Sequence, residues 1–274
     1  MSVTALALPI AAMLVAGLVA GFAAGLFGIG GGFVVVPALF AVLPLLGAQP
    51  EELAHVAIGT SLATIVVTSI RSVQAHAKRG AVDFDVLRAW APWIVGGVAA
   101  GVLLASRVPG HGLAIIFGGG VMLMAFHFLF PVLRGRQLAE AMPSGATRAG
   151  IAGGLGAFSS LLGIGGGTIA IIVMTLCGKS IHRAIATAAG VGTIIALPGM
   201  FGFMAIGWGA HGLPAGSIGF VNVPAAIAIT STSILTAPWG AAAAHKLSPA
   251  ALGRVFGIYL LAIGALMIRN GLAA

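Results

Sequence analysis

Two glycine runs, Gly28-Ile29-Gly30-Gly31-Gly32 and Gly163-Ile164-Gly165-Gly166-Gly167, are the residues whose type and spacing point most directly to chemistry. Each run interrupts an apolar stretch and stands at the same place in its half of the chain. A glycine costs a helix interior about 1 kcal/mol relative to alanine and offers no side chain to pack, so a cluster breaks the helix. A helix that restarts after such a break presents unpaired N–H groups and the positive end of its dipole, a setting that favours an anion. Phe33 and Thr168 are predicted to open the two restarted helices. The candidate substrate ligands are therefore the backbone and flanks of Gly30, Gly31, Gly32 and Phe33, and of Gly165, Gly166, Gly167 and Thr168. A nucleotide loop does not fit, because Phe33 and Thr168 stand where G-x-G-x-x-G needs its last glycine and no Lys-Ser/Thr pair follows.

Hydroxyls and one arginine extend the candidate set. Thr60, Ser61 and Thr64 fall within about one helical turn, and Thr187 is the counterpart of Thr60 in the second half. Thr230, Ser233 and Thr236 recur every three residues and share a broad helix face. Uncharged hydroxyls suit a path for an oxyanion, though the same groups also serve to bond their own helix or a neighbouring one. Arg71, inside an apolar segment, offers a planar fork of donors to a sulfonate or carboxylate, or snorkels to the interface. The five acids, Glu51, Glu52, Asp83, Asp85 and Glu140, are all expected in loops. A paired-carboxylate enzyme or a carboxylate-based cation pump is therefore not expected, and the scattered histidines form no metal or cofactor site.

The elements that must position these residues are set by composition. Apolar residues make up 59% of the 274, charged residues 7%, against about 25% in soluble domains. Residues 1–50, 149–178 and 184–245 contain no Asp, Glu, Lys or Arg. The fold class is an all-α polytopic membrane protein, with the bilayer as its principal surroundings. The net charge of +8 comes from Lys and Arg scattered between apolar runs, which excludes a nucleic-acid surface and fits loop anchors. Ten apolar segments are predicted, near 5–27, 33–46, 54–76, 86–106, 111–131, 147–162, 168–178, 182–205, 218–244 and 250–270. The segments 33–46 and 168–178 are too short to span, so broken, half-length helices are predicted to carry the glycine turns into the membrane.

The halves look duplicated. Gly28 pairs with Gly163 at an offset of 135, Thr60 with Thr187 at 127, and Gly101 with Gly240 and Arg107 with Lys246 at 139. Residues 1–133 form a first repeat, 134–146 a linker and 147–274 a second repeat. Five segments per repeat is odd, so the two repeats would be inverted relative to each other. Lys78, Arg79, Arg134, Arg136, Lys179, Arg183, Lys246 and Arg254 then share one side, which the positive-inside rule puts in the cytoplasm, leaving both termini outside.

The glycine runs, the Phe33-Val34-Val35-Val36-Pro37 that follows the first of them, and the block Ala57-Ile58-Gly59-Thr60-Ser61-Leu62 resemble the TauE/SafE family of sulfite and organosulfonate exporters. The resemblance covers nearly the whole chain. It implies a bacterial or archaeal inner-membrane permease for small sulfur-containing anions such as sulfite, thiosulfate or sulfonates. Pro37 is matched by Ile172 in the second half, a departure from strict symmetry. The expected function is a secondary transporter working by alternating access. A passive anion channel and a non-transporting membrane partner of a sulfur-metabolising enzyme are the alternatives. A coupling proton stays open, and the sequence does not fix the oligomeric state.

Overall fold

The computed structural model describes residues 3–27, 30–130, 137–244 and 249–273. Gly28 and Ile29 of the first glycine run, Arg134 and Arg136 of the linker, and Lys246 lie outside them. The chain folds into ten α-helices among the described residues: α1 (Val3–Phe27), α2 (Gly32–Val42), α3 (Pro50–Ala77), α4 (Phe84–Ala105), α5 (Gly110–Leu129), α6 (Gly145–Leu162), α7 (Gly167–Leu176), α8 (Ile181–Ile206), α9 (Val223–Ala244) and α10 (Pro249–Ala273). A 3₁₀ turn, Leu43–Leu46, ends α2.

Local chemistry explains the boundaries. Pro50 follows Gln49 into α3 at a position where its missing N–H costs nothing. Asp83 caps α4 by accepting from the Val86 amide at 3.3 Å, and Ser180 caps α8 through Arg183 N–H at 3.4 Å. Gly163 closes α6 in the left-handed region at φ 63. α2 and α7 have 11 and 10 residues, so each runs about 15 Å, half a bilayer core. Both begin one residue earlier than expected, at Gly32 and Gly167, because the left-handed turn is completed at Gly31 and Gly166.

Among the described residues six helices, α1, α3, α4, α5, α8 and α10, are long and apolar enough to cross a membrane. Large apolar side chains cover the outside: Leu103, Leu123, Phe201, Ile227, Leu235 and Ile258 are all exposed. Water would penalise that surface and lipid accepts it. The protein is an all-α polytopic membrane protein.

Small residues set the packing, since helices in lipid associate through close backbone approach rather than hydrophobic exclusion. α1 packs on α9 and α6 on α4, while α3 crosses α8 and α5 lies along α10. A Cβ on Gly101 would meet the Ala157 carbonyl, and one on Gly240 would meet that of Phe22. A Cβ on Gly118 would lie 2.7 Å from Gly264 O, and one on Gly257 3.3 Å from Ala125 O. These pairs map onto one another at the offsets of 135 and 139 found in the sequence. The seams of one half thus recur in the other.

Two expectations change. The ninth segment does not begin as a helix: a two-residue antiparallel ladder, with Ser217 opposite Asn222 and Ile218 opposite Val221, precedes α9. Gly216 and Gly219, both at positive φ, turn the chain there. Of the face formed by Thr230, Ser233 and Thr236, Thr236 takes the packing role, which it shares with its neighbour Thr232. Thr232 and Thr236 donate to Leu14 O and Leu18 O of α1, each at 2.8 Å, across a seam where Gly17 and Gly21 leave room for them.

Candidate functional site

The two glycine turns meet. A Cβ on Gly30 would lie 3.8 Å from the Gly165 Cα. One on Gly32 would lie 2.5 Å from Gly163 O and 3.0 Å from the Ile164 Cα. No side chain fits between them, so the approach is backbone on backbone. Gly31 and Gly166, the N-cap residues of α2 and α7, hold φ 80 and φ 64, a conformation that residues with a Cβ rarely adopt. Neither cap makes a side-chain hydrogen bond to its helix. In α2 the amides of Val34 and Val35 both reach Gly31 O, at 2.9 and 3.1 Å. In α7 the first such bond is Ala170 N–H to Gly166 O at 3.1 Å, so the amides of Gly167, Thr168 and Ile169 stand ahead of it.

α3 runs beneath the junction. Ser61 donates to Gly163 O at 2.8 Å, and a Cβ on Gly163 would lie 3.0 Å from the Ile58 Cα. A Cβ on Gly30 would lie 3.5 Å from Ile65 Cγ2. Ser61 and Thr60 are fully buried, and Thr64 turns back to Ser61 O at 2.7 Å. Thr60 and Thr187 each link one half of the chain to the other. Thr60 Oγ1 accepts from Asn222 N–H and Thr187 Oγ1 from Asp83 N–H, both at 2.9 Å. Asp83 and Asn222, themselves 139 residues apart, each accept an amide three residues on, from Val86 and Ala225. The bond is the same in both places, with the halves exchanged.

The two versions differ in charge. Asp83 receives Lys179 Nζ at 3.0 Å and faces Arg183 Nε at 3.6 Å. Burial alone would raise its carboxyl pKa, but the Lys179 hydrogen bond, the Val86 amide and the charges of Lys179 and Arg183 outweigh that and hold it below the ordinary carboxylate value. Asn222 instead gives its amide to Ala215 O at 3.1 Å and Ser217 Oγ at 3.0 Å. At the far end of α4, Glu51, Glu52, His55, Ser106, Arg107 and His111 line a cleft of about 460 Å³.

Residues 13–267 match the model of the family described as sulfite exporter TauE/SafE. The chain belongs to this family. A probable membrane transporter protein of Haemophilus influenzae is 36% identical over 91% of the chain and 94% of its own length. Relatives of the same description in Methanocaldococcus jannaschii and Bacillus subtilis are 25% and 26% identical, over 93% and 95% of the chain and 94% and 97% of theirs. No solved structure matches. With its apolar helices, this TauE/SafE protein is a multi-pass membrane transporter.

The fold of this TauE/SafE chain brings Gly30–Phe33, Gly163–Thr168 and Ser61 to one junction and sets Thr60 and Thr187 on the two helices that cross beneath it. Arg71 stands on the exposed face of α3. Glu51, Glu52 and Asp85 lie in the first turns of α3 and α4 rather than in loops, where their charge complements the helix dipole. Three residues were missed. Asp83 and Asn222 share the offset of 139 and were detectable by it. Ser159 is fully buried with no hydrogen-bond partner for its Oγ among the described residues. It would have been found by asking where the second half carries a hydroxyl and the first half, 135 residues earlier, an alanine.

Proposed function

We propose that this protein is a secondary transporter that moves a small sulfur-containing anion, such as sulfite or an organosulfonate, across the cytoplasmic membrane by alternating access. The observation that carries this reading is the abutment of the two glycine turns, each opening a half-length helix inside an apolar protein. Helix amino ends offer an anion oriented N–H groups in a medium with no competing water. The proposed site comprises Gly30, Gly31, Gly32, Phe33, Thr60, Ser61, Gly165, Gly166, Gly167, Thr168 and Thr187, with Arg71 as a cation near the approach. Residues 1–133 and 147–274 are read as inverted repeats, and the recurrence of the glycine seams and of the threonine–amide links supports that duplication. Alternating access is then one repeat moving against the other about the junction. The positive-inside rule supports two external termini, and the resemblance to TauE/SafE exporters supports the inner membrane. Proton coupling, if present, would draw on groups at the helix ends.

The test is reconstitution. Purified protein in liposomes is expected to exchange labelled sulfite or methanesulfonate saturably, with counterflow and without large unitary currents. Currents of channel size would replace the carrier with a passive pore. Liposomes that move no anion would overturn transport of this substrate class.

A further inference from the structure

The two turns share a left-handed N-cap glycine and a half-length helix but not a lining. A Cβ on Gly31 would meet Ala20 O at 3.0 Å and the Ala24 Cβ at 3.5 Å. One on Gly166 would meet Ser159 Oγ at 2.8 Å and Leu155 Cδ1 at 3.5 Å. Ala20 and Leu155, and Ala24 and Ser159, are counterparts at the offset of 135, as are Phe33 and Thr168. The first turn is therefore walled by a backbone carbonyl, the Ala24 methyl and a phenyl ring, the second by the Ser159 and Thr168 hydroxyls together with the methyls of Ile195, 2.6 Å from a Cβ on Gly166, and Leu155.

Those hydroxyls are unsatisfied. Ser159 is 0% and Thr168 7% exposed, and neither Oγ has a hydrogen-bond partner among the described residues. Ser159 points at the N-cap glycine of α7, and Thr168 stands in the first turn of that helix beside the amides of Gly167 and Ile169. Ser69, 3% exposed, approaches the same region: a Cβ on Gly192 would lie 2.6 Å from its Oγ and 3.5 Å from Gly165 O. A buried donor without a partner is unfavourable. Two of them, Ser159 and Thr168, at one helix amino end describe a cradle completed by an acceptor-rich ligand.

No formal charge is close by on these helices. Ser159 is 11 residues from Arg148, about 16 Å along α6, and the charged residue that follows Thr168 is Lys179, beyond the C-terminal end of α7 at Leu176. Lys179 and Arg183 are already engaged by Asp83. α6 and α7 therefore bring dipoles alone to the cradle, and the guanidinium of Arg71, two residues beyond Ser69, stands on the exposed face of α3. Desolvating an ion scales with the square of its charge, so a dianion there costs roughly four times what a monoanion does.

We propose that, of the two turns at the junction, the α7 turn makes the principal contacts to the substrate, through the Ser159 and Thr168 hydroxyls and the first amides of α7, and that it selects a singly charged sulfur oxyanion over a doubly charged one. This deepens the sulfur-anion reading above and rests on it.

Binding to the purified full-length protein tests both parts, with methanesulfonate as the monoanion and sulfate as the dianion, read by calorimetry and by ligand-induced thermal shift. Wild type is expected to bind methanesulfonate at least tenfold more tightly than sulfate. Ser159→Ala and Thr168→Val are each expected to weaken methanesulfonate about tenfold, the scale of one hydrogen bond to a charge, with Thr168→Ser restoring it. The melting temperature of Ser159→Ala without ligand should equal or exceed that of wild type, because the change removes an unpaired buried group. A purely structural serine would lower it, and that result would count against the proposal. Methanesulfonate binding untouched by both Ser159→Ala and Thr168→Val overturns the α7 cradle and leaves the transport reading standing. Equal affinity for sulfate overturns the charge selection. Wild type that binds neither anion overturns the sulfur-anion reading itself.

Discussion

The glycine turn before α2 and the glycine turn before α7 have the same left-handed caps and the same half-length helices, and they differ in everything around them. At the first, Phe33 packs edge-on against Phe256, ring centres 6.2 Å apart, and its carbonyl accepts the Tyr259 hydroxyl at 3.3 Å. At the second, Ser61 reaches across from α3 to fix Gly163, and the counterpart of Ser61 is Ala188, which has no hydroxyl to return the favour. A methyl and rings border one turn, while the other adds unpaired hydroxyls to the Ile195 and Leu155 methyls. A duplicated backbone can thus keep its geometry in both copies while only one keeps the chemistry that suits an anion.

Substitutions at the caps should break this comparison most sharply. Gly166→Val places a branched side chain at φ 64, against Ser159 Oγ and Ile195 Cδ1, and is expected to abolish methanesulfonate binding. Gly31→Val carries the same backbone strain, about 1–3 kcal/mol, and should lower thermal stability while retaining measurable binding. Equal loss at both caps in a binding titration would make the turns equivalent and sink the one-sided site.

Next in size is Ser61→Ala, which removes a buried bond to Gly163 O and should cost about 1–3 kcal/mol in detergent unfolding. The mirror change Ala188→Ser should bring no matching gain. Asp83→Asn gives the first link the neutral form of the second. Asp83 has a folded pKa below its unfolded value, so its contribution is present above the ordinary carboxylate pKa of about 3.9 and fades as pH falls through the lower folded value. Wild type should therefore lose stability on acidification below about pH 4, and Asp83→Asn should lose less across the same range. At neutral pH the two should differ by less than about 1 kcal/mol, because Lys179 and Arg183 are part-exposed. The smallest effect belongs to Arg71→Gln. On an exposed face it should change binding less than about twofold, and a larger loss would bring that guanidinium into the site.

Much of this fold was legible because membrane helices are written in uninterrupted apolar runs. Each of the ten predicted segments overlaps one helix, and the short second and seventh segments became α2 and α7. Glycine runs are equally plain, since few other residues tolerate those caps. What escaped was whatever depends on the partner helix. Thr230, Ser233 and Thr236 read as a polar face, and only the Gly17 and Gly21 gaps on α1 make Thr236, with Thr232, part of a seam. The Ser217–Asn222 ladder is too short to leave an alternating pattern. Ser159 looked like one more small residue on a small-residue helix, and its meaning came from what it faces.

The junction at Gly32 and Gly163 has one further consequence. Where two halves meet through side chains, each rearrangement freezes and frees rotamers, and long side chains carry up to about 2 kcal/mol of that entropy apiece. Here main chain lies directly on main chain. A contact of that kind has no rotamers to lose when it forms and none to regain when it parts. It can serve as a bearing whose friction is set by van der Waals contact and a single serine hydrogen bond, so the cost of motion falls on the helices that swing around it.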